Sequence, residues 1–105
     1  MAISFLLALA AATAPQPVTP PPTWKHYPIW ALRAAVGGRM MYEAIVDATG
    51  KPTGCTILVS TGSRRLDDEA CGMVLQRGRF HPAKNAEGVP ETGLYRGGLT
   101  WTIEG

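Results

Sequence analysis

At 105 residues and a formal net charge of +2, the chain has room for one small domain and too little basic charge to argue for a nucleic-acid partner. Arg64, Arg65, Arg77 and Arg79 crowd one region, but Asp67, Asp68 and Glu69 lie among them, the mixture expected of a solvated face. The two cysteines, Cys55 and Cys71, with His26 and His81, match no zinc spacing, since neither C-x-x-C nor H-x₃₋₅-H occurs, so neither a metal nor a cofactor is expected.

Residues 2–14 are almost wholly apolar, with Ile3, Phe5, Leu6, Leu7 and Leu9 ahead of an alanine run. That length suits a signal-peptide core better than a membrane span, which needs roughly 20 apolar residues. Residues 1–12 are therefore expected to be a signal peptide cut after Ala12. A short uncleaved anchor and a buried N-terminal helix are the alternatives. Residues 13–24 read as a proline-rich linker, whose Pro15–Pro22 portion would reach ~25 Å in polyproline geometry. The domain proper is expected over 25–105.

In an exported chain the two cysteines invite a disulfide. Bridging Cys55 and Cys71 would close a loop of about 15 residues and stabilise the fold by roughly 3 kcal/mol in the loop-entropy picture. Buried free thiols are the alternative.

Pro28 at the start and Gly37-Gly38 past the end predict a short helix over Ile29–Val36. Ile29, Leu32, Ala35 or Val36, with Ala31, are expected to face inward. From Met40 to Asp47 the period becomes two: Met40, Tyr42, Ala44 and Val46 share one face and Met41, Glu43, Ile45 and Asp47 the other. A turn at Ala48–Lys51 leads to a second strand, in which Cys55, Ile57 and Val59 alternate with Thr56, Leu58 and Ser60. The two strands should pair as a hairpin.

Ser63 is a fair N-cap for the next helix, which carries acidic residues in its first turns. Leu66, Ala70, Met73 and Val74 form its apolar stripe, with Cys71 at the margin. Asp67 projects between the apolar flanks and needs a partner, an arginine or the turn amides around Gly62. The helix should end by Gly78, ahead of Pro82. Residues 85–92 read as loop. The alternation of Leu99, Trp101 and Ile103 with threonines predicts a closing strand from Leu94, bulged or bent at Gly97-Gly98.

Motifs of phosphate binding, metalloprotease chemistry and nucleophilic catalysis are missing, and no enzyme is expected. The ordered set of Tyr27-Pro28, Gly50, Ser60-Thr61-Gly62, Leu66-Asp67 with Ala70, Arg79-Phe80-His81-Pro82-Ala83 and Gly88-Val89-Pro90 resembles the C-terminal domain of TonB-family proteins. Some members carry cysteines at the positions of Cys55 and Cys71, which supports the bridge.

The resemblance implies an α+β fold, a three-stranded antiparallel sheet packed against two short helices in the order helix-strand-strand-helix-strand. It implies a periplasmic location and outer-membrane TonB-dependent receptors or other envelope proteins as partners, with no small-molecule substrate. Recognition would add a receptor segment to the edge of the last strand, at Leu99, Thr100, Trp101, Thr102 and Ile103. A bare edge also allows homodimers. The short leader and linker depart from the energy-transducing members, which leaves a solitary accessory domain of the envelope as the alternative role.

Overall fold

The computed structural model describes residues 12–18 and 27–101. In chain order the elements are β1 (Gln16–Pro17), α1 (Ile29–Arg33), β2 (Gly38–Val46), β3 (Pro52–Val59), α2 (Arg64–Arg77), β4 (Phe80–His81), β5 (Ala83–Lys84), β6 (Pro90–Glu91) and β7 (Gly93–Trp101). The main sheet is antiparallel with order β3-β2-β7. Two-stranded pairs β1–β4 and β5–β6 flank it. The expected α+β order of helix, two strands, helix and strand is thus the frame of the molecule.

Period-two alternation decides which sheet face is core. Met40, Tyr42, Ala44 and Val46 of β2 are buried together, and Leu99 and Trp101 of β7 join them. The amphipathic stripe of α2 closes this face with Leu66, Ala70 and Val74. Complete burial of a side chain such as Leu66 or Met40 contributes about 2–3 kcal/mol, so the sheet–helix contact dominates cohesion.

The hairpin turn is built on Asp47, whose Oδ1 accepts from the Thr49 amide at 2.9 Å, the Thr49 hydroxyl at 2.6 Å and the Lys51 amide at 3.0 Å. These bonds, the Thr49 hydroxyl first, hold the Asp47 carboxyl below its ordinary value. Gly50 closes the turn at φ +90°, and its carbonyl accepts from the Phe80 amide at 2.9 Å. A Cβ at Gly50 would fall 2.0 Å from the Phe80 oxygen, so only glycine lets the hairpin tip dock on the chain leaving α2.

Several local expectations are corrected. The first helix stops at Arg33, because Ala35 takes a left-handed φ of 57° and the Val36 amide reaches back to the Ala31 carbonyl. Its inward residue is Ala31, while Ile29 (64% exposed) and Leu32 face solvent. The side is chosen by Trp30, whose indole N–H donates to Glu69 Oε1 at 2.8 Å while the Arg65 guanidinium lies 4.1 Å from its ring centroid.

Val59 also turns outward. A register shift between Met41 and Tyr42 inserts Leu58 as an extra residue, and both end up exposed. The expected bulge at Gly97-Gly98 is missing: β2 and β7 stay in one unbroken register from Gly38↔Trp101 to Val46↔Gly93. Gly97 is there for space, because its absent Cβ would lie 2.8 Å from the Tyr42 hydroxyl and 2.7 Å from the Tyr95 ring. Within the expected loop, Pro90–Glu91 pairs with Ala83–Lys84 around a turn in which Asn85 Oδ1 accepts from the amides of Glu87 and Val89, each at 3.0 Å.

The opening of the expected linker is docked onto the domain. Thr13 exchanges both backbone hydrogen bonds with Lys84, at 2.9 and 3.0 Å, and the Val18 amide donates to the Arg79 carbonyl at 2.7 Å. Pro15 is fully buried, at the place where a Cβ on Gly93 would meet its ring at 3.1 Å. A proline suits this position because it needs no partner for an N–H. The remainder of the expected linker, residues 19–24, lies outside the described residues, as does the leader through residue 11.

Candidate partner-binding edge

The free edge of β7 follows from strand order. Among the described residues β7 pairs only with β2, and β3 pairs only with β2, so the main sheet has two open sides. They are not equivalent. β3 begins with Pro52, which has no N–H to offer, and its far end carries the Leu58 irregularity; both features discourage pairing. The Cys55–Cys71 disulfide, with Cα atoms 5.7 Å apart, further ties this strand to α2. β7 has nine residues, no proline and an uninterrupted register. It is the regular strand edge of the molecule.

Of the five residues expected at the edge, Leu99, Thr100 and Trp101 fall within β7, and Thr102 and Ile103 lie outside the described residues. The strand reaches further back than expected, to Gly93. Leu99 and Trp101 point into the core and Thr100 to the outer face, so Leu99 and Trp101 contribute backbone to the edge, not exposed apolar side chains. Trp101 packs edge-on against Tyr27 at a centroid distance of 5.1 Å, and Tyr27 donates its hydroxyl to the Val36 carbonyl. The Tyr27-Pro28 pair therefore anchors one end of β7 and holds the first helix against it.

The outer sheet face adjoins this edge and is not covered by any described element. Arg96 reaches Glu43 at 2.9 Å across the strands. Ile45 and Leu94 stand on one side of that pair and Leu58 and Val59 on the other, all four exposed. A strand added at β7 would extend this partly apolar surface with its own side chains. The sequence places Leu94 at the start of the closing strand, while its alternation does not mark which face it takes.

The family-type residues around the second helix serve as scaffold. Asp67 is only 4% exposed and accepts the hydroxyl of Ser60, the Thr61 hydroxyl at 2.7 Å and the Thr61 amide at 3.0 Å. Of the expected partners, the turn amides supply one, from Thr61, and the hydroxyls of Ser60 and Thr61 take the place of an arginine. Those hydroxyls in turn accept from the amides of Gly62 at 2.9 Å and Ser63 at 3.1 Å. Ser63 caps the helix by accepting the Leu66 amide at 3.2 Å. Burial pushes the Asp67 carboxyl upward, but the bonds from Ser60 and Thr61 outweigh it and hold the group below its ordinary value. Gly62 sits at φ +98°, with nothing near its absent Cβ, so backbone conformation is its reason.

At the other end of the motif, Phe80 is buried with its ring 5.1 Å from Tyr95, and Pro82 ends the short strand β4. Tyr42, buried beside Tyr95, has its phenol pushed up to about 12 by burial and then by the neighbouring phenol. Among the described residues no group of three His, Cys, Asp or Glu side chains is placed to hold a metal ion. No helix among them is long and apolar enough to cross a membrane.

A small α+β domain with one regular open strand edge and a cross-linked scaffold behind it has the make-up of a protein-interaction module. The family profile described as Gram-negative bacterial TonB protein C-terminal matches residues 23–102, and the chain belongs to that family. Domains of this family are interaction modules of the cell envelope. Among solved structures, the chain is similar to the solution NMR structure of the Pseudomonas aeruginosa TonB C-terminal domain. The match has a TM-score of 0.64 at 20% identity and covers 89% of this chain and 90% of that one, a likeness of fold. No curated protein matches the chain.

Proposed function

We propose that the domain works in the periplasm as a TonB-like interaction module, taking an extended segment of an outer-membrane TonB-dependent receptor, or of another envelope protein, onto the free edge of β7. The observation that carries this reading is the contrast between the two open edges: β7 is regular over nine residues, whereas β3 is interrupted at both ends. Strand addition draws on backbone hydrogen bonds along the whole edge and makes modest demands on side chains. It also needs no catalytic group, consistent with a module that is not an enzyme.

The test is titration of isotope-labelled protein with peptides copied from receptor N-termini, followed by amide shifts. The expected result is perturbation concentrated between Gly93 and Trp101, with β3 little affected. Saturable binding that perturbs β3 instead, or no binding by any such peptide, overturns the proposal.

The docking of Thr13–Val18 favours a second reading, a solitary accessory domain of the envelope without energy transduction. Residues expected to begin a reaching arm are folded onto β4 and β5. In that role the same edge would serve a stable envelope partner or a second copy of the chain. Crosslinking in intact cells followed by sizing separates the two: a persistent complex independent of receptors supports the accessory role, and a lone monomer opposes it.

A further inference from the structure

An isolated antiparallel bridge between Thr13 and Lys84, ahead of β1, marks where the folded segment begins. Thr13 gives its N–H to the Lys84 carbonyl at 2.9 Å and receives the Lys84 N–H at 3.0 Å, while its side chain remains exposed. Two residues on, Pro15 is fully buried against the start of β7, where Ala83 and Pro15 fill the space a Cβ on Gly93 would need. Immediately before this folded segment stand Ala10, Ala11 and Ala12, at the end of an apolar run. Small residues at the first and third positions before a bond are what leader peptidases of the envelope read.

We infer that the Ala12–Thr13 peptide bond is a processing site and that Thr13 is the first residue of the folded, mature domain. In the reaction the Ala12–Thr13 C–N bond breaks and water supplies a hydroxyl to the Ala12 carbonyl carbon and a proton to the Thr13 nitrogen. The products are an Ala12 carboxylate on the leader and an α-ammonium on Thr13. That ammonium lies at an exposed residue and still donates to the Lys84 carbonyl, now as a charge-assisted bond.

The other small-residue position, Ala14, gives a poor product. Cutting there would place the new positive charge on the nitrogen of Pro15, in a fully buried site, and would remove both Thr13–Lys84 bonds. Of the two bonds, only the cut after Ala12 leaves the Thr13–Lys84 pairing and the buried Pro15 intact. This inference concerns maturation and stands whether or not β7 binds receptor segments.

The test expresses the full chain in a Gram-negative host and measures the intact mass and N-terminal sequence of the protein from the envelope fraction. A start at Thr13 is expected; a start at Ala11 or Pro15, or a retained Met1, overturns the inference. Ala12→Leu should abolish the Thr13 start, and its persistence in that variant would contradict the proposed recognition. Pro15→Asp and the milder Pro15→Ala examine the folded boundary. Both should still begin at Thr13, with Tm lowered by more than about 5 °C for Asp and by less for Ala. An unchanged Tm in both variants would show that the segment is not part of the folded domain.

Discussion

Replacing Asp67 by alanine strikes the junction that ties the end of the hairpin to the second helix. Three hydrogen bonds to a buried carboxylate are lost: two from hydroxyls and one from the Thr61 amide. Each such bond is worth about 1.5–3 kcal/mol, but the losses are not additive, since the Ser60 and Thr61 hydroxyls can turn toward water. The expected cost of Asp67→Ala is therefore about 3 kcal/mol, and for a domain of this size that lowers Tm by roughly 12–24 °C. Asp67→Asn keeps the shape and the oxygen facing Thr61, so about 1–1.5 kcal/mol is expected. The two variants also separate charge from geometry. Because the carboxyl is held below its ordinary value in the folded state, its contribution is present above the unfolded pKa and is lost as pH falls through the folded one. Wild type and Asp67→Asn should therefore converge in stability on acidification, with the Asp47 contribution cancelling because both proteins carry it. Urea unfolding at neutral and acidic pH is the assay. An Asp67→Ala protein within about 0.5 kcal/mol of wild type, the range of ordinary surface changes, would refute the lock. So would a gap to Asp67→Asn that stays constant with pH.

Reducing the Cys55–Cys71 bridge, which closes 16 residues of sequence separation, should lower unfolding stability by about 3 kcal/mol. Alkylation followed by mass measurement should find two modified cysteines only after reduction. Gly50→Ala forces a Cβ to 2.0 Å from the Phe80 oxygen at a positive φ, so a loss of more than about 2 kcal/mol is expected in chemical unfolding. Tyr42, pushed up to about 12, stays neutral in the fold well above the pKa of an exposed phenol. Its contribution to stability is full below pH ~10 and is lost as pH rises toward ~12, so ultraviolet titration should show a phenol ionising near pH 12 in wild type that is absent from Tyr42→Phe.

Local chemistry made the centre of the domain legible. Ser63 caps the second helix, Gly78 ends it, and the burial of Leu66, Ala70 and Val74 follows from helical spacing. The alternation at Met40–Val46 likewise separates the two sheet faces. The misreadings share a cause, that distant residues settle the local outcome. Pro15 looked like linker because its burial depends on Ala83 and Gly93, about 70 positions away. Gly97-Gly98 resembles a bulge, but the reason for Gly97 is the Tyr42 and Tyr95 side chains filling the space, and at Gly98 it is the Met41 sulfur at 3.0 Å. Ile29 and Leu32 seemed the natural inner face until Trp30 found Glu69 and Arg65 on the other helix. The helical spacing shows that Asp67 needs a partner, while the hydroxyls of Ser60 and Thr61 that meet it lie in a turn too short to carry its own periodicity.

The residues that identify the family and the residues that meet a partner need not coincide, and strand recognition explains why. Tyr27, Pro28, Gly62, Leu66, Asp67, Phe80 and Pro82 set where backbone goes: they hold a helix end, close a turn, cap a helix or fill the core. A pairing edge is made of backbone N–H and C=O groups, which every residue but proline supplies, so the sequence marks it mainly by what it lacks. In β7 that means no proline, no register break and no disulfide across nine residues, whereas β3 carries all three. The scaffold therefore determines function indirectly. By pinning β3 to the second helix and leaving β7 straight, it leaves β7 as the better side for the sheet to grow.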